Sequence, residues 1–228
     1  MVIDTIQRQM FYRVSNNIDE DLKIKGRFIV FEGLDGAGTT TQTALLANWL
    51  DANGMDVIPT KEPTDGLWGG IIRGILKGEV DAHPLSLCHA FMADRIDHIQ
   101  KLQSRVLKLD SPVVLSDRYH LSYLAYQQKD TNKDLSWLYV TQQGLPLPDI
   151  TVFLDASPYT CYERMKRSRI TSERFENIEA LERIYEGYIS AIDLLIREGQ
   201  NIKVVDGSLS INEIHEKTLS LLSDYFNK

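Results

Sequence analysis

RFIVFEGLDGAGTTTQTALLANWLDANG, residues 27–54, is the stretch from which the fold is read. Its opening, RFIVFE, is a continuous apolar run of the kind a strand shows when both its faces are covered. Its end places Leu45, Leu46, Trp49 and Leu50 at helical spacing and stops at Gly54, a residue suited to a helix C-terminus. Between them lies GLDGAG, with Gly33 and Gly38 five residues apart. A glycine-rich turn from strand into helix lets backbone N–H groups converge on a phosphate, and the helix N-terminus adds partial positive charge. The spacing is that of the GxxxxGK[ST] loop, in which the lysine bridges the β- and γ-phosphates and the next hydroxyl binds magnesium. Gly33, Gly36, Gly38 and Thr40 satisfy that pattern, and Thr39 stands where the lysine belongs.

Working outward, strands are expected over 55–63, 111–119, 148–156 and 201–207 as well as 27–32. Helical segments separate them: GLWGGIIRGILKG, a long one from Pro84 to Leu107, SPYTCYERMKRSR opened by Ser157 and Pro158, and one carrying the stripe Leu181, Tyr185, Tyr188, Ile192 and Leu195. This alternation predicts an α/β fold, a five-stranded parallel sheet flanked by helices on both faces, with ligands at the carboxyl ends of the strands. The unusual polar clusters begin at Gly33, Lys61 and Asp117, all at such ends. Residues 27–228 form the main domain. Residues 1–26 precede it, with a short amphipathic helix expected over Met1–Val14 and a linker, SNNIDED, after it.

A chain of 228 residues with 43% hydrophobic content can bury one large core, which sets aside disorder and coiled coil. A net charge of −7 without a long basic run argues against a sequence-independent grip on nucleic acid. Cys88 and Cys161 stand far apart with no CxxC pair, so they read as reduced core thiols and not as a disulfide framework or zinc site. No run approaches the ~18 apolar residues of a membrane span, and the first 25 residues do not resemble a signal peptide. The expectation is a cytoplasmic protein without nucleic-acid or membrane partners.

Loss of the loop cation is worth ~2.7–4 kcal/mol if it parallels loss of one preorganised donor. RMKRSRITSER, residues 164–174, gathers Arg164, Lys166, Arg167, Arg169 and Arg174. In a helix Arg164 and Arg167 share a face, and the segment after it reads either as a lid folding over bound phosphates or as a solvated basic helix end. Asp117 and Arg118 sit at the mouth of the third strand, as a magnesium ligand through water and a bidentate phosphate partner, or as a structural ion pair. FMADRIDHI puts Phe91, Arg95 and His98 on one side of a helix, where Phe91 either stacks on a planar base beside Arg95 or serves as core.

FEGLDGAGTTTQ, TKEP, FMADRIDHI, SDRYHLSYLAYQ, LPLPDITVFLD and the arginine-rich stretch ending in ERFE resemble, in order and spacing, the thymidylate kinases, from about Arg27 to Lys228. The resemblance implies phosphorylation of dTMP by ATP with Mg2+. It places ATP on the loop Gly33, Leu34, Asp35, Gly36, Ala37, Gly38, Thr39, Thr40 and Thr41, with Asp206 and Gly207 near adenine. Thr40 and Asp117 would manage the metal. Asp35 resembles the carboxylate near the sugar 3′-hydroxyl, Glu62 and Pro63 the acidic turn after the second strand, and Arg73 and Arg118 the arginines on the acceptor phosphate. Phe91, Arg95, Ser122, Tyr123, Tyr126 and Gln127 would line the sugar and base. Asp35, Arg118, Arg164, Arg167 and Arg169 are the implied catalytic residues, the last three in a lid over about 164–176. A homodimer through the long helix bearing Leu87, Phe91 and Ile99 is also implied. Three departures stand out: Thr39 for the loop lysine, Lys61 where arginine is common, and Tyr123 where a small residue often contacts the base. They leave two alternatives, a weakly active or regulatory nucleotide-binding homologue and a kinase for another nucleoside monophosphate.

Overall fold

The computed structural model describes residues 22–168 and 177–226. Five strands, β1 (Arg27–Glu32), β2 (Val57–Lys61), β3 (Val113–Asp117), β4 (Ile150–Asp155) and β5 (Ile202–Asp206), form one wholly parallel sheet in the order β2-β3-β1-β4-β5. The strands are shorter than the apolar runs of the sequence, because the flanking residues turn away into the loops. β1 is buried on both faces. Phe28 and Val30 meet Ile99, Leu102 and Val106 on one side, while Ile29 and Phe31 join Leu46, Leu50, Leu115 and Val152 on the other. Burial of both faces is why the run shows no polar alternation.

Eight helices cover the sheet among the described residues: α1 (Thr39–Ala52), α2 (Leu67–Leu76), α3 (Pro84–Val106), α4 (His120–Thr131), α5 (Leu135–Thr141), α6 (Pro158–Ser168), α7 (Ile178–Arg197) and α8 (Ile211–Phe226). Local chemistry sets several starts. Pro84 opens α3, whose preceding His83 Nδ1 accepts from Leu85 N–H at 3.2 Å. Asn177 caps α7 by accepting from Ala180 N–H at 2.7 Å. α1 has no side-chain cap: Gly38, at φ 103°, precedes it and leaves its first N–H groups open to a ligand. α4, α5 and α8 were not singled out in the sequence. α4 buries His120, Leu121, Tyr123, Leu124, Ala125 and Gln127, so it lacks one clean apolar stripe.

One expectation about the helices changes. Leu87 and Ile99 are fully buried in the chain's own core and Phe91 packs against it, so none of the three is free to form a dimer contact. Exposed apolar side chains nearby include Ile96 on α3, Trp137 and Val140 on α5, and Leu67, Trp68 and Ile71 on α2. The expected helix over Met1–Val14 and the SNNIDED linker lie outside the described residues, as does most of the expected lid. No helix among the described residues is long and apolar enough to cross a membrane.

Candidate active site

The parallel sheet brings the ends of β1, β2 and β3 to one edge, and the site is built there. After β1 the chain turns through residues 33–38. Gly36 has φ 86°, and a Cβ on it would lie 2.6 Å from the Cys161 carbonyl, so this bend admits only glycine. Thr39 is buried in the first turn of α1, its carbonyl accepting from Thr43 Oγ1–H at 2.9 Å, while Thr40 and Thr41 are exposed. Thr40 Oγ1–H donates to Asp117 Oδ2 at 2.5 Å, which joins the loop to the end of β3. The other oxygen, Asp117 Oδ1, is buried and has no hydrogen-bond partner. A hydroxyl and a carboxylate with a spare oxygen are hard donors that fit magnesium, which usually takes one or two protein ligands beside phosphate and water. Among the described residues no group of three or more His, Cys, Asp or Glu side chains forms a self-sufficient metal site.

Arg118 follows β3 with φ 70°, a conformation uncommon for a residue with a side chain and costing about 1–3 kcal/mol where nothing compensates. Compensation is dense. Its Nη2 pairs with Asp35 Oδ1 at 2.6 Å, and its Nη1 donates to Ser122 Oγ at 3.1 Å and Tyr188 OH at 3.0 Å. Tyr126 OH–H donates to Asp35 Oδ2 at 2.9 Å, and Tyr188 OH–H to the Gly33 carbonyl at 2.8 Å. Burial works against the Arg118 charge, but Tyr126, Asp35 and Tyr188 more than reverse this and hold it firmly protonated. Beneath them Glu32, fully buried, accepts from the N–H groups of Tyr119, Leu121 and Ser122 and from the Ser122 hydroxyl, anchoring the start of α4. Burial raises its carboxyl pKa despite those donors.

Beside the loop is a cavity of about 270 Å³ whose wall includes Asp35, Glu62, Arg73, Phe91, Arg95 and Gln127. Arg95 on α3 is 2% exposed. Its Nε and Nη2 reach Glu62 Oε2 at 2.8 and 2.6 Å, its Nη1 donates to Gln142 Oε1 at 2.5 Å, and its guanidinium stacks 4.4 Å from the centre of the Tyr119 ring. One hydrogen stays unused on each terminal nitrogen. Burial alone would raise the Glu62 carboxyl, but Arg95 and His98 reverse this and hold it below its ordinary pKa. Gln127 is 2% exposed, and its Oε1 has no partner. Tyr123 OH is engaged by Cys88 Sγ at 3.1 Å and Thr141 Oγ1 at 2.9 Å, so the hydroxyl points at neighbouring helices while the ring lines the cavity. Arg73 Nη1 donates to the Thr64 carbonyl at 2.6 Å at the rim.

The sequence-predicted residues therefore divide by position. Asp35, Glu62, Pro63, Arg73, Phe91, Arg95, Asp117, Arg118, Ser122, Tyr123, Tyr126 and Gln127 share the cavity wall. Glu62 is turned under Arg95. Arg164 Nη1 donates to the carbonyls of Gly207 at 2.9 Å and Ala37 at 3.5 Å, tying α6 to the phosphate loop and to the turn after β5. Asp206 is exposed and closes that turn by accepting from Ser208 N–H and Oγ–H at 2.9 and 2.6 Å. Arg167 is exposed on α6, and Arg169 lies outside the described residues. Sequence reasoning missed Glu32, Tyr188 and Gln142. Tyr188 belongs to a core stripe, and nothing in that spacing sets its hydroxyl apart from its ring.

An uncapped glycine loop, joined through Asp35 and Arg118 to a cation-bearing cavity on a five-stranded parallel sheet, defines a P-loop nucleoside monophosphate kinase. Relatives narrow that class. The thymidylate kinase family profile matches residues 31–218. A probable thymidylate kinase of Thermococcus gammatolerans is 35% identical over 206 residues, 86% of this chain and 96% of that one. A thymidylate kinase of Prochlorococcus marinus is 35% identical over 216 residues, 90% of this chain and 99% of that one. The thymidylate kinase structure from Candida albicans superposes with a TM-score of 0.73 at 23% identity, covering 89% of this chain and 93% of that one, and shares the fold. The chain belongs to the thymidylate kinase family. It is a phosphotransferase that converts dTMP to dTDP.

Proposed function

We propose that the loop from Gly33 to Thr41 holds the phosphates of ATP while the cavity takes dTMP, and that Asp35 and Arg118 align the two. Catalysis is positioning and charge neutralisation, with no covalent intermediate. The open N–H groups at the start of α1 receive phosphate oxygens. Arg73 and Arg118 grip the acceptor phosphate, Asp35 takes the sugar 3′-hydroxyl, and Phe91 covers one face of the base. Thr40 and Asp117 would hold the magnesium ion that thymidylate kinases generally use, which supplies charge neutralisation on the phosphates. Arg164 steadies the loop, Asp206 and Gly207 approach adenine, and Arg167 and Arg169 belong to the lid. The enzyme is cytoplasmic, in keeping with its two buried free thiols. It forms a homodimer through the exposed face of Ile96, Trp137 and Val140, beside the His89–Trp137 ring contact at 6.1 Å.

One observation carries the base assignment: Arg95 offers spare N–H donors and Gln127 a buried acceptor without a partner, on the wall of one cavity. Thymine presents an acceptor at O4 and a donor at N3–H, which match. Cytosine presents a donor and an acceptor at the same places, so both contacts reverse and buried polar groups are left unpaired. Rates of dTDP, dUDP, dCDP and dGDP formation at equal acceptor concentration test this. With dTMP, kcat/KM should exceed the dCMP value by at least about a hundredfold. Equal use of dCMP overturns the assignment.

A further inference from the structure

We propose that Lys61 is a catalytic residue whose ammonium meets the phosphoryl group in transit and does the work for which this loop has no lysine. The inference rests on the kinase reading above. Lys61 ends β2 and pairs in register with Asp117, which ends β3. Parallel neighbours lie about 4.8 Å apart and register partners project to one face, so Lys61 leaves the sheet on the side where Asp117 meets Thr40. Both residues line the acceptor cavity, and both also line a second cleft of about 490 Å³ walled by Thr40, Thr43, His98 and Arg105. The two spaces meet at this pair, between the phosphate loop and the acceptor site.

Three of the nearby arginines already have protein partners, and two of these, Arg73 and Arg118, serve the acceptor phosphate in the reading above. Arg118 is held by Asp35, Arg73 donates to the Thr64 carbonyl, and Arg164 to those of Ala37 and Gly207. Lys61 is held by Asp65 at 3.0 Å, in a pair whose side chains are 54% and 77% exposed. An exposed pair yields readily to a more highly charged partner, and a lysine on its flexible stem is free to follow a moving group. Asp65 lies 3.8 Å from Arg73 as well, so one exposed carboxylate occupies two cations that a phosphate would otherwise draw inward. During transfer the phosphorus–oxygen bond to ADP breaks and one forms to a dTMP phosphate oxygen. The Lys61 ammonium keeps its protons and neutralises charge on the equatorial oxygens.

The test measures kcat and both KM values for the native enzyme, Lys61→Ala, Lys61→Arg, Asp65→Asn, Thr39→Lys and the Lys61→Ala/Thr39→Lys double variant. Lys61→Ala should lower kcat at least about tenfold with smaller changes in KM, and Lys61→Arg should restore most of it. With lysine installed at 39 the same alanine change should cost less than about threefold, a coupling expected where two groups serve one function. Asp65→Asn releases both cations and should leave turnover at or above native, because the ammonium and not the ion pair is at work; this arm stands even where Thr39→Lys fails to fold. The proposal is overturned if Lys61→Ala stays within about twofold of native, if its loss is equal in both backgrounds, or if Asp65→Asn falls as far as Lys61→Ala. Native enzyme that makes no dTDP would instead sink the kinase reading, an outcome visible before any variant is compared.

Discussion

Replacing Tyr188 with phenylalanine removes one oxygen from the buried centre of the site and leaves the ring in place. The ring contacts with Phe153 and Tyr126, at centroid distances of 5.2 and 6.1 Å, survive the change. The hydroxyl donates to the Gly33 carbonyl at 2.8 Å, accepts from Arg118 Nη1 at 3.0 Å and meets Ser122 Oγ at 2.8 Å. Arg118 keeps Asp35 and Ser122, so the main loss is the donor to Gly33 and the link between loop and arginine. A buried polar group left unsatisfied costs about 1–3 kcal/mol, and at ~2–4 °C per kcal/mol for a chain of this size Tm should drop by roughly 2–12 °C. Turnover should fall about tenfold, since the loop and Arg118 lose their fixed relation, with a smaller rise in KM for dTMP. Thermal unfolding and coupled ADP release measure the two effects. Burial pushes the Tyr188 hydroxyl far above its ordinary pKa, so it is protonated throughout the neutral range and both losses should be the same from pH 6 to 9. Tm within about one degree of native together with kcat within about twofold would refute the role of the hydroxyl.

Glu62→Gln should lower stability by about 3–5 kcal/mol at neutral pH, because it strands Arg95 in a pair whose side chains are 2% and 4% exposed. Glu62 titrates below its unfolded value of 4.5, so its contribution is complete above that pH and is lost as pH falls through the native value. The Tm gap between native protein and variant should therefore narrow below pH 4.5 and stay constant above it; a gap that widens in acid would contradict the pairing. Ile96→Glu, on a side chain 46% exposed, should turn a dimer into monomers in sedimentation without altering the Tm of the monomer core; a native monomer would end the dimer proposal.

How far the sequence reveals this site depends on whether spacing or tertiary contact makes the residue functional. The loop was readable because its chemistry is local: Gly36 adopts φ 86° and Gly38 φ 103°, conformations that glycine signals in the sequence without knowledge of any distant element. Asp117 and Arg118 were readable because they follow an apolar run. Glu32 was not, since a carboxylate ending the same run gains its role only when α4 sets three N–H groups over it. Tyr188 and Gln142 lie far along the chain from the groups they hold, Gly33 and Arg95. The long helix misled in the opposite direction. Leu87 and Ile99 look surplus to one core face, but α3 packs against both α2 and the sheet and buries each of them.

Thr39 takes its meaning from where positive charge stands around it. Its side chain is buried, so the first turn of α1 offers backbone N–H groups and no cation at that position. Arg164 approaches the loop from the far side, yet its contacts are carbonyls of Ala37 and Gly207, and a cation held by carbonyls shapes the loop without meeting the transferring group. Arg118 is paired with Asp35. Lys61 stands across Asp117 from the loop, on a strand end and not on a helix start. A lysine within the loop is in place before either nucleotide binds. One drawn from an exposed partner comes into place only once phosphate is there to attract it, so its stabilisation is concentrated in the loaded complex. Interactions absent from the free enzyme and strongest at the transition state raise kcat without tightening ground-state binding. On that argument the loss of the loop lysine moves charge stabilisation to β2 and leaves the chemistry of the family in place.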